Sequence, residues 1–343
     1  MKKIVVALIC LASLLAGCAA EAKPAGQIYL YGEIHGVEAI YNRQLELWGG
    51  HYQRGLRHLF YEMPYFTAEW LNLWMQADND DILDAVYADA EGTNAQNPYL
   101  FALYQAIKRD YPETVFHGTD VGHQYETTGA RYLAYLAEND LANSPSYKLA
   151  QDNIAQGHTY QNGPGNNVDN VYRENAMAVN FIREFNALDG ESVMGIYGAA
   201  HTRLDAMEYT TQSVPCMGNQ LKVRYGEAVH SEDLKITAPE RTDVITVAGK
   251  DYDAAYFGEY DLTGFQNYKS RAYWRLENAY DDFKSSPTTG DVQPADSYPM
   301  VVEAGQVYMV DYTTTDGVVT RVYYRADGDK WNGMPVTAEF TVE

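Results

Sequence analysis

The stretch Gln27-Ile28-Tyr29-Leu30-Tyr31-Gly32-Glu33-Ile34-His35-Gly36 decides how this chain is read. Residues 27–31 are β-branched and aromatic, as in a buried strand. From Val37 to about Arg54 the apolar spacing turns helical, with Ile40, Leu45, Leu47 and Trp48 set among polar residues. A carboxylate and an imidazole therefore stand where a strand gives way to a helix. In an open α/β sheet, that edge is where ligands bind. Residues two apart in extended backbone point to the same side, so Glu33 and His35 can face one site.

The same arrangement recurs downstream. Residues 56–61 read as a second strand, closed by Glu62-Met63-Pro64, where the proline stops the ladder. Residues 114–117 make a third, running into Gly118-Thr119-Asp120-Val121-Gly122-His123. Residues 192–197 make a fourth, followed by Gly198-Ala199-Ala200-His201, whose small residues let the backbone approach a ligand closely. A further strand ends at Val223. Helical periodicity covers 67–75, 80–90, 98–109, 130–138, 146–156 and 170–188, the last capped by Asp169. Arg173 lies in the first turn of that helix, where a cation opposes the helix dipole; its placement points to a facing anion or carboxylate. Trp70, Leu71 and Trp74 read as core or pocket wall. The turn-rich segment 161–167 suits a flap over a site.

This alternation predicts an α/β domain over 27–236, mainly a parallel sheet with helices on both faces. Residues 243–343 have another character. Short aromatic or β-branched runs (306–312, 318–325 and 336–342) are separated by turn pairs such as Asp316-Gly317 and Asp327-Gly328, strong hairpin signals. They predict a smaller β-rich C-terminal module.

If the strands are parallel, Glu33, His35, Glu62, Asp120 (with His117 and His123 nearby) and His201 gather along one edge. Such a set fits two chemistries. Glu33, His35, Glu62, Asp120 and His201 can hold a divalent transition metal that activates water. Alternatively, a histidine acts as general base oriented by a carboxylate, with Arg173 stabilising an oxyanion or holding a carboxylate. The spacing is not the helical two-histidine motif of zinc proteases. His117 reads either as a strand-packing residue or as part of the site, and His51, His58, His158 and His230 read as surface residues.

At 343 residues and 46% hydrophobic, the chain is long enough for two domains. Its formal charge of -22 argues against nucleic acid, which needs a basic surface. Met1-Lys2-Lys3 followed by apolar residues 4–15 is a signal-type start, too short to span as a mature helix. Leu15-Ala16-Gly17-Cys18 resembles a bacterial lipobox. That resemblance implies a signal peptide at 1–17, lipidation of Cys18, a tether at 18–26, and an extracytoplasmic protein anchored to a bacterial membrane by lipid. Cys216 is then the one cysteine left outside this region; it reads as a small buried hydrophobe and leaves no intrachain disulfide.

Gly32-Glu33-Ile34-His35, Glu62, Gly118-Thr119-Asp120, Arg173-Glu174-Asn175-Ala176-Met177 and Gly198-Ala199-Ala200-His201 occur in an order that resembles a broad superfamily. It includes erythromycin-esterase-like hydrolases, haem-binding ChaN-like lipoproteins and TraB (Tiki-type) metalloproteases. The resemblance covers about 27–225. It implies that Glu33, His35, Glu62, Arg173 and His201 line an active site. The implied function is hydrolysis of an ester or amide bond in a small-molecule or peptide substrate. The alternatives are a haem- or iron-binding lipoprotein, for which Tyr31, Tyr61 and Trp74 are available, and a non-catalytic surface protein acting through the β module. Two departures argue against a macrolide substrate. The erythromycin esterases resemble Gly-Glu-x-x-His, whereas Glu33 and His35 are two apart; and Thr202 and Arg203 follow His201 where a second histidine is usual.

Overall fold

The computed structural model describes residues 26–262, 266–331 and 333–342; the predicted signal peptide and Cys18 lie outside the described residues. The first half alternates strand and helix: β1 (Ile28–Glu33), α1 (Glu38–Gln53), β2 (His58–Pro64), α2 (Tyr65–Met75), α3 (Asp81–Asp89), α4 (Pro98–Asp110) and β3 (Val115–Asp120). A π-helical turn, Tyr125–Gly129, leads into α5 (Ala130–Glu138), α6 (Pro145–Gln161), α7 (Asn170–Ala187) and β4 (Val193–Gly198). The short α8 (Ala199–Thr202), α9 (Met217–Tyr225) and β5 (Val229–Asp233) complete it. The five strands form one sheet in the order β3-β2-β4-β1-β5, parallel at every pairing.

Strand alternation sorts the side chains onto two faces. Tyr31, Leu59, Tyr61, Met194 and Ile196 point to the side covered by Ile40, Tyr41 and Trp48 of α1 and Leu103 and Ile107 of α4. Ile28, Leu30, Phe60, Val193 and Tyr197 point to the other, against Met177 and Phe181 of α7 and Met217 and Leu221 of α9. Strands β1, β2 and β4 thus bury both faces, as the inner strands of a parallel sheet do. The chain leaves β1 toward one face and β4 toward the other. Their neighbouring carboxyl ends open a crevice at the point where the winding reverses, the usual ligand position in such sheets.

The C-terminal part is an antiparallel sheet, the β-rich module expected. Its strands are β6 (Arg241–Val247), β7 (Lys250–Asp261), β8 (Tyr268–Leu276), β9 (Thr288–Pro294), β10 (Val307–Thr314), β11 (Val319–Arg325), β12 (Lys330–Trp331) and β13 (Met334–Phe340), with a helical turn α10 (Tyr280–Phe283). The order is β12-β13-β11-β10-β8-β7-β6, and β9 pairs with β13. The β10–β11 hairpin turns at Asp316-Gly317 as the dipeptide predicts. Phe257, Tyr260, Tyr273, Tyr298 and Tyr308 of this part share one buried cluster with Tyr31, Val37 and Trp48. The end of β7 also meets the turn after β1: Val37 bridges Tyr260, and the Asp261 amide donates to the Gly36 carbonyl at 3.1 Å.

Two predicted features differ in the structure. Val223 ends no strand; it lies in α9 and points to solvent. Residues 221–225 alternate apolar and polar, but Met217 and Leu221, four apart, are the pair that packs inward, and the fifth strand comes later as β5. Residues 161–167 do not roof the cavity described below. Its edge is formed instead by residues 93–95 between α3 and α4.

Candidate active site

Strand geometry brings four ends together. Glu33 is the last residue of β1, Glu62 lies near the end of β2, Asp120 closes β3, and β4 ends at Gly198, three residues before His201. Arg173 reaches in from the first turn of α7, whose N-terminus Asp169 caps by accepting from the Tyr172 amide at 2.9 Å.

Glu33 and His35 form the first pair. The His35 Nδ1 is 2.9 Å from a Glu33 oxygen. The other Glu33 oxygen accepts from the Gln44 amide, and the Gln44 carbonyl accepts from the Tyr61 hydroxyl at 2.9 Å. The carboxylate is thus fixed from behind and can only face the imidazole. Gly36, at φ +79°, lets the chain turn sharply after His35; a side chain there would meet both the backbone strain and the Tyr260 ring. Burial on its own lowers the His35 pKa. The hydrogen bond and charge of Glu33, with the charge of Glu62, outweigh it and push it up to about 9.

His201 and Glu174 form the second pair, hydrogen-bonded through Nδ1. The other Glu174 oxygen accepts from the Met217 amide at 2.8 Å. His201 Nε2 lies 3.7 Å from Glu62. Burial again opposes protonation, and the charges of Glu174 and Glu62 prevail, so this pKa is also raised.

Between the pairs sits a carboxylate–guanidinium cluster. Arg173 donates to Glu62 at 2.5 Å and to both oxygens of Asp120 at 2.9 and 2.5 Å. Glu62 also accepts from the Gly198 amide at 2.5 Å, and Asp120 pairs with His123 at 3.0 Å. Burial works against the charged form of each carboxylate. His201, Arg173 and His35 nevertheless hold Glu62 at about 2, and Arg173 and His123 hold Asp120 well below the usual carboxylate range. The guanidinium that the dipole argument aimed at an anion therefore serves two carboxylates.

Gly198 shows where these groups converge. A β-carbon built there would lie 3.3 Å from Glu62 Oε2, 3.5 Å from His35 Nε2 and 3.6 Å from His201 Cδ2. The missing side chain leaves a small space faced by both imidazoles and a carboxylate. His35 and Glu62 also line a cavity of about 270 Å³, whose floor they share with Glu33, Asp120, His123 and Arg173. His201 lies beside the cavity and does not line it.

The five catalytic residues expected from the sequence thus lie in one network, as does Asp120. As metal ligands the set does not fit: among the described residues no group of three or more His, Cys, Asp and Glu side chains is disposed to hold a metal ion. The carboxylates are engaged by Arg173, the two imidazoles and amide donors. Of the residues considered for a haem, Tyr61 lines the cavity and donates to Gln44 at 2.9 Å. Tyr31 is engaged by His51 at 2.9 Å and Trp74 by Asp80 at 2.8 Å, and neither reaches the cavity.

Other histidines sort by position. His117 packs on Phe60 and bonds His58 at 2.9 Å, on the side of β3 away from the cavity. His51, expected at the surface, is buried against Tyr31; it falls on the inner face of α1. Cys216 is buried, and its thiol is pushed up to about 11 by that burial.

Two contributors were missed in the sequence, Glu174 and Gln44. The signal was present. Glu174 is in phase with Met177, Ala178, Phe181 and Phe185 on the inner face of α7, and Gln44 with Ile40, Tyr41 and Trp48 on that of α1. A polar residue on an apolar stripe is buried, and a buried polar group needs a partner.

Fold and site define an α/β protein with two carboxylate–imidazole pairs at the switch point of a parallel sheet. No family model matches the chain, and no curated protein matches it in sequence. Solved structures with a similar arrangement include an erythromycin esterase variant in its open conformation, at 13% identity, TM-score 0.45, covering 64% of this chain and 72% of that one. A Bacillus cereus protein aligns at 12% identity and TM-score 0.44, covering 75% and 78% of the two chains. A succinoglycan biosynthesis protein aligns at 12% and 0.45, covering 66% and 70%.

Proposed function

We propose that this chain is a hydrolase of the erythromycin-esterase-like superfamily that cleaves an ester or amide bond with His35 as general base. The observation that carries this reading is the convergence over Gly198, where the unengaged His35 Nε2, Glu62 and His201 surround one small space beside a cavity. His35 takes a proton from water through Nε2, while Glu33 holds the ring through Nδ1 and stabilises the imidazolium that forms. The water oxygen bonds to the acyl carbon. His201, whose pKa is raised by the charges of Glu174 and Glu62, favours the oxyanion electrostatically. As the acyl–oxygen or acyl–nitrogen bond breaks, the proton on His35 passes to the leaving alcohol or amine, so atoms and charge balance. Arg173 holds Glu62 and Asp120 in place.

The resemblance of Leu15-Ala16-Gly17-Cys18 to a lipobox supports an activity outside the cytoplasm, on a protein tethered to a bacterial membrane by lipid on Cys18. Mass spectrometry of the membrane fraction tests that part, with a diacyl or triacyl modification of Cys18 as the expected result. The activity is tested by hydrolysis of a panel of aryl esters and anilides by metal-stripped protein. Turnover that survives chelator and is lost in His35→Ala supports the reading; equal turnover by His35→Ala overturns it.

A further inference from the structure

The cavity has two unlike halves. Opposite the charged floor, its wall comes from one face of α3 (Leu83, Val86 and Ala90, three and four residues apart) and from Leu100, Phe101 and Tyr104 of α4. Several polar groups on that side have protein partners. The Tyr41 hydroxyl accepts from the Gly36 amide, the Tyr61 hydroxyl donates to Gln44, the Thr93 hydroxyl donates to the Ala90 carbonyl, and Asn94 accepts from Tyr260. Buried apolar side chains facing an open cavity gain free energy when an apolar group covers them.

The wall, rather than the floor, disfavours a charged acyl group, which would lose its water against apolar side chains. Arg173 gives only its Nε and one terminal nitrogen to Glu62 and Asp120. Glu33, Glu62 and Asp120 are each matched by a cation or amide. Size sets the other limit. A dry cavity of about 150 Å³ accepts benzene, and drug-sized ligands need about 300–1,000 Å³. The cavity here is about 270 Å³. By the benzene ratio it holds on the order of ten non-hydrogen atoms, including those of the scissile group.

We infer that the site selects a compact, uncharged acyl group, a straight chain of about eight carbons or a single aryl ring on a short stem, seated against α3 and α4. This inference rests on the hydrolase reading for the word "acyl", but not for the apolar subsite itself. A macrocyclic lactone does not fit this subsite.

The test uses the full chain with straight-chain 4-nitrophenyl esters from acetate to dodecanoate, plus the hemisuccinate. Each added methylene is expected to raise kcat/KM about fourfold up to about eight carbons, with a fall by dodecanoate. Val86→Phe, with Ala90→Leu as a second variant, should lower the octanoate-to-acetate ratio at least about tenfold, the loss of two buried methylenes. A thermal melt confirms that each variant is folded. Indole binding by calorimetry is the readout that does not need turnover. Indole bound by wild type and lost in Val86→Phe, with no ester cleaved, upholds the subsite and rejects the hydrolase reading. A flat chain-length profile, or hemisuccinate cleaved as fast as butyrate, overturns the subsite while leaving the hydrolase standing. No turnover and no indole binding overturns both.

Discussion

The ends of β1 and β4 each hold an imidazole against a buried carboxylate, and the two differ in exposure and neighbours. The His35 side chain is 28% exposed and lines the cavity; that of His201 is 7% exposed and lies behind it. Glu33 is braced by side chains, Gln44 and then Tyr61, whereas Glu174 is braced by the backbone amide of Met217. The first pair has a free ring nitrogen facing space, and the second has its ring nitrogen turned toward Glu62. In the proposed mechanism the same residue types serve different tasks: a base that exchanges protons at β1, and electrostatic support at β4. Arg173 links them through Glu62, so neither pair is electrostatically independent.

That contrast can be broken in graded steps. The largest effect on rate falls on His35→Ala, expected to cost about 10²–10⁴-fold in kcat/KM, the span of a positioned general base. Arg173→Ala leaves Glu62 and Asp120 buried without their cation and should destabilise the fold by about 3–5 kcal/mol, measured by urea denaturation. His201→Ala removes charge stabilisation rather than a proton acceptor. It should lower kcat by about 10²-fold while the alkaline rise in rate persists. A rise lost with His201 instead would exchange the two roles. Glu33→Gln has the smallest effect and tests direction. An imidazole must be neutral to accept a proton, so with a pKa of about 9 the wild-type rate climbs with pH and levels above about 9. Removing the Glu33 charge lowers that pKa, and the inflection should move toward neutral pH, read from a kcat/KM–pH profile.

Much of this was legible in the sequence because strand ends are marked twice, by the end of a β-branched run and by the residues that follow it. Glu33, Glu62, Asp120 and His201 could be placed on one edge from that alone. The supporting carboxylate Glu174 and the amide Gln44 were harder, since each sits inside a helix and its role depends on which face that helix buries. The cavity wall was harder still. Residues 93–95 gain their position from the α3–α4 connection and from Tyr260 of β7, a contact across 166 residues of sequence. Local periodicity carries no information about such a contact. The misread at Val223 has a related cause: a five-residue alternation fits both a strand and a short amphipathic helix, and packing of Met217 and Leu221 decides between them.

The most direct test is the pH dependence of kcat/KM for 4-nitrophenyl octanoate, measured from pH 6 to 10 on metal-stripped wild type and on His35→Ala. The account predicts a wild-type rate that rises through an inflection near about 9, is insensitive to chelator and falls by about 10²–10⁴-fold in the variant. A rate abolished by chelator and restored by added zinc, or a variant with the wild-type profile, would contradict His35 as the base.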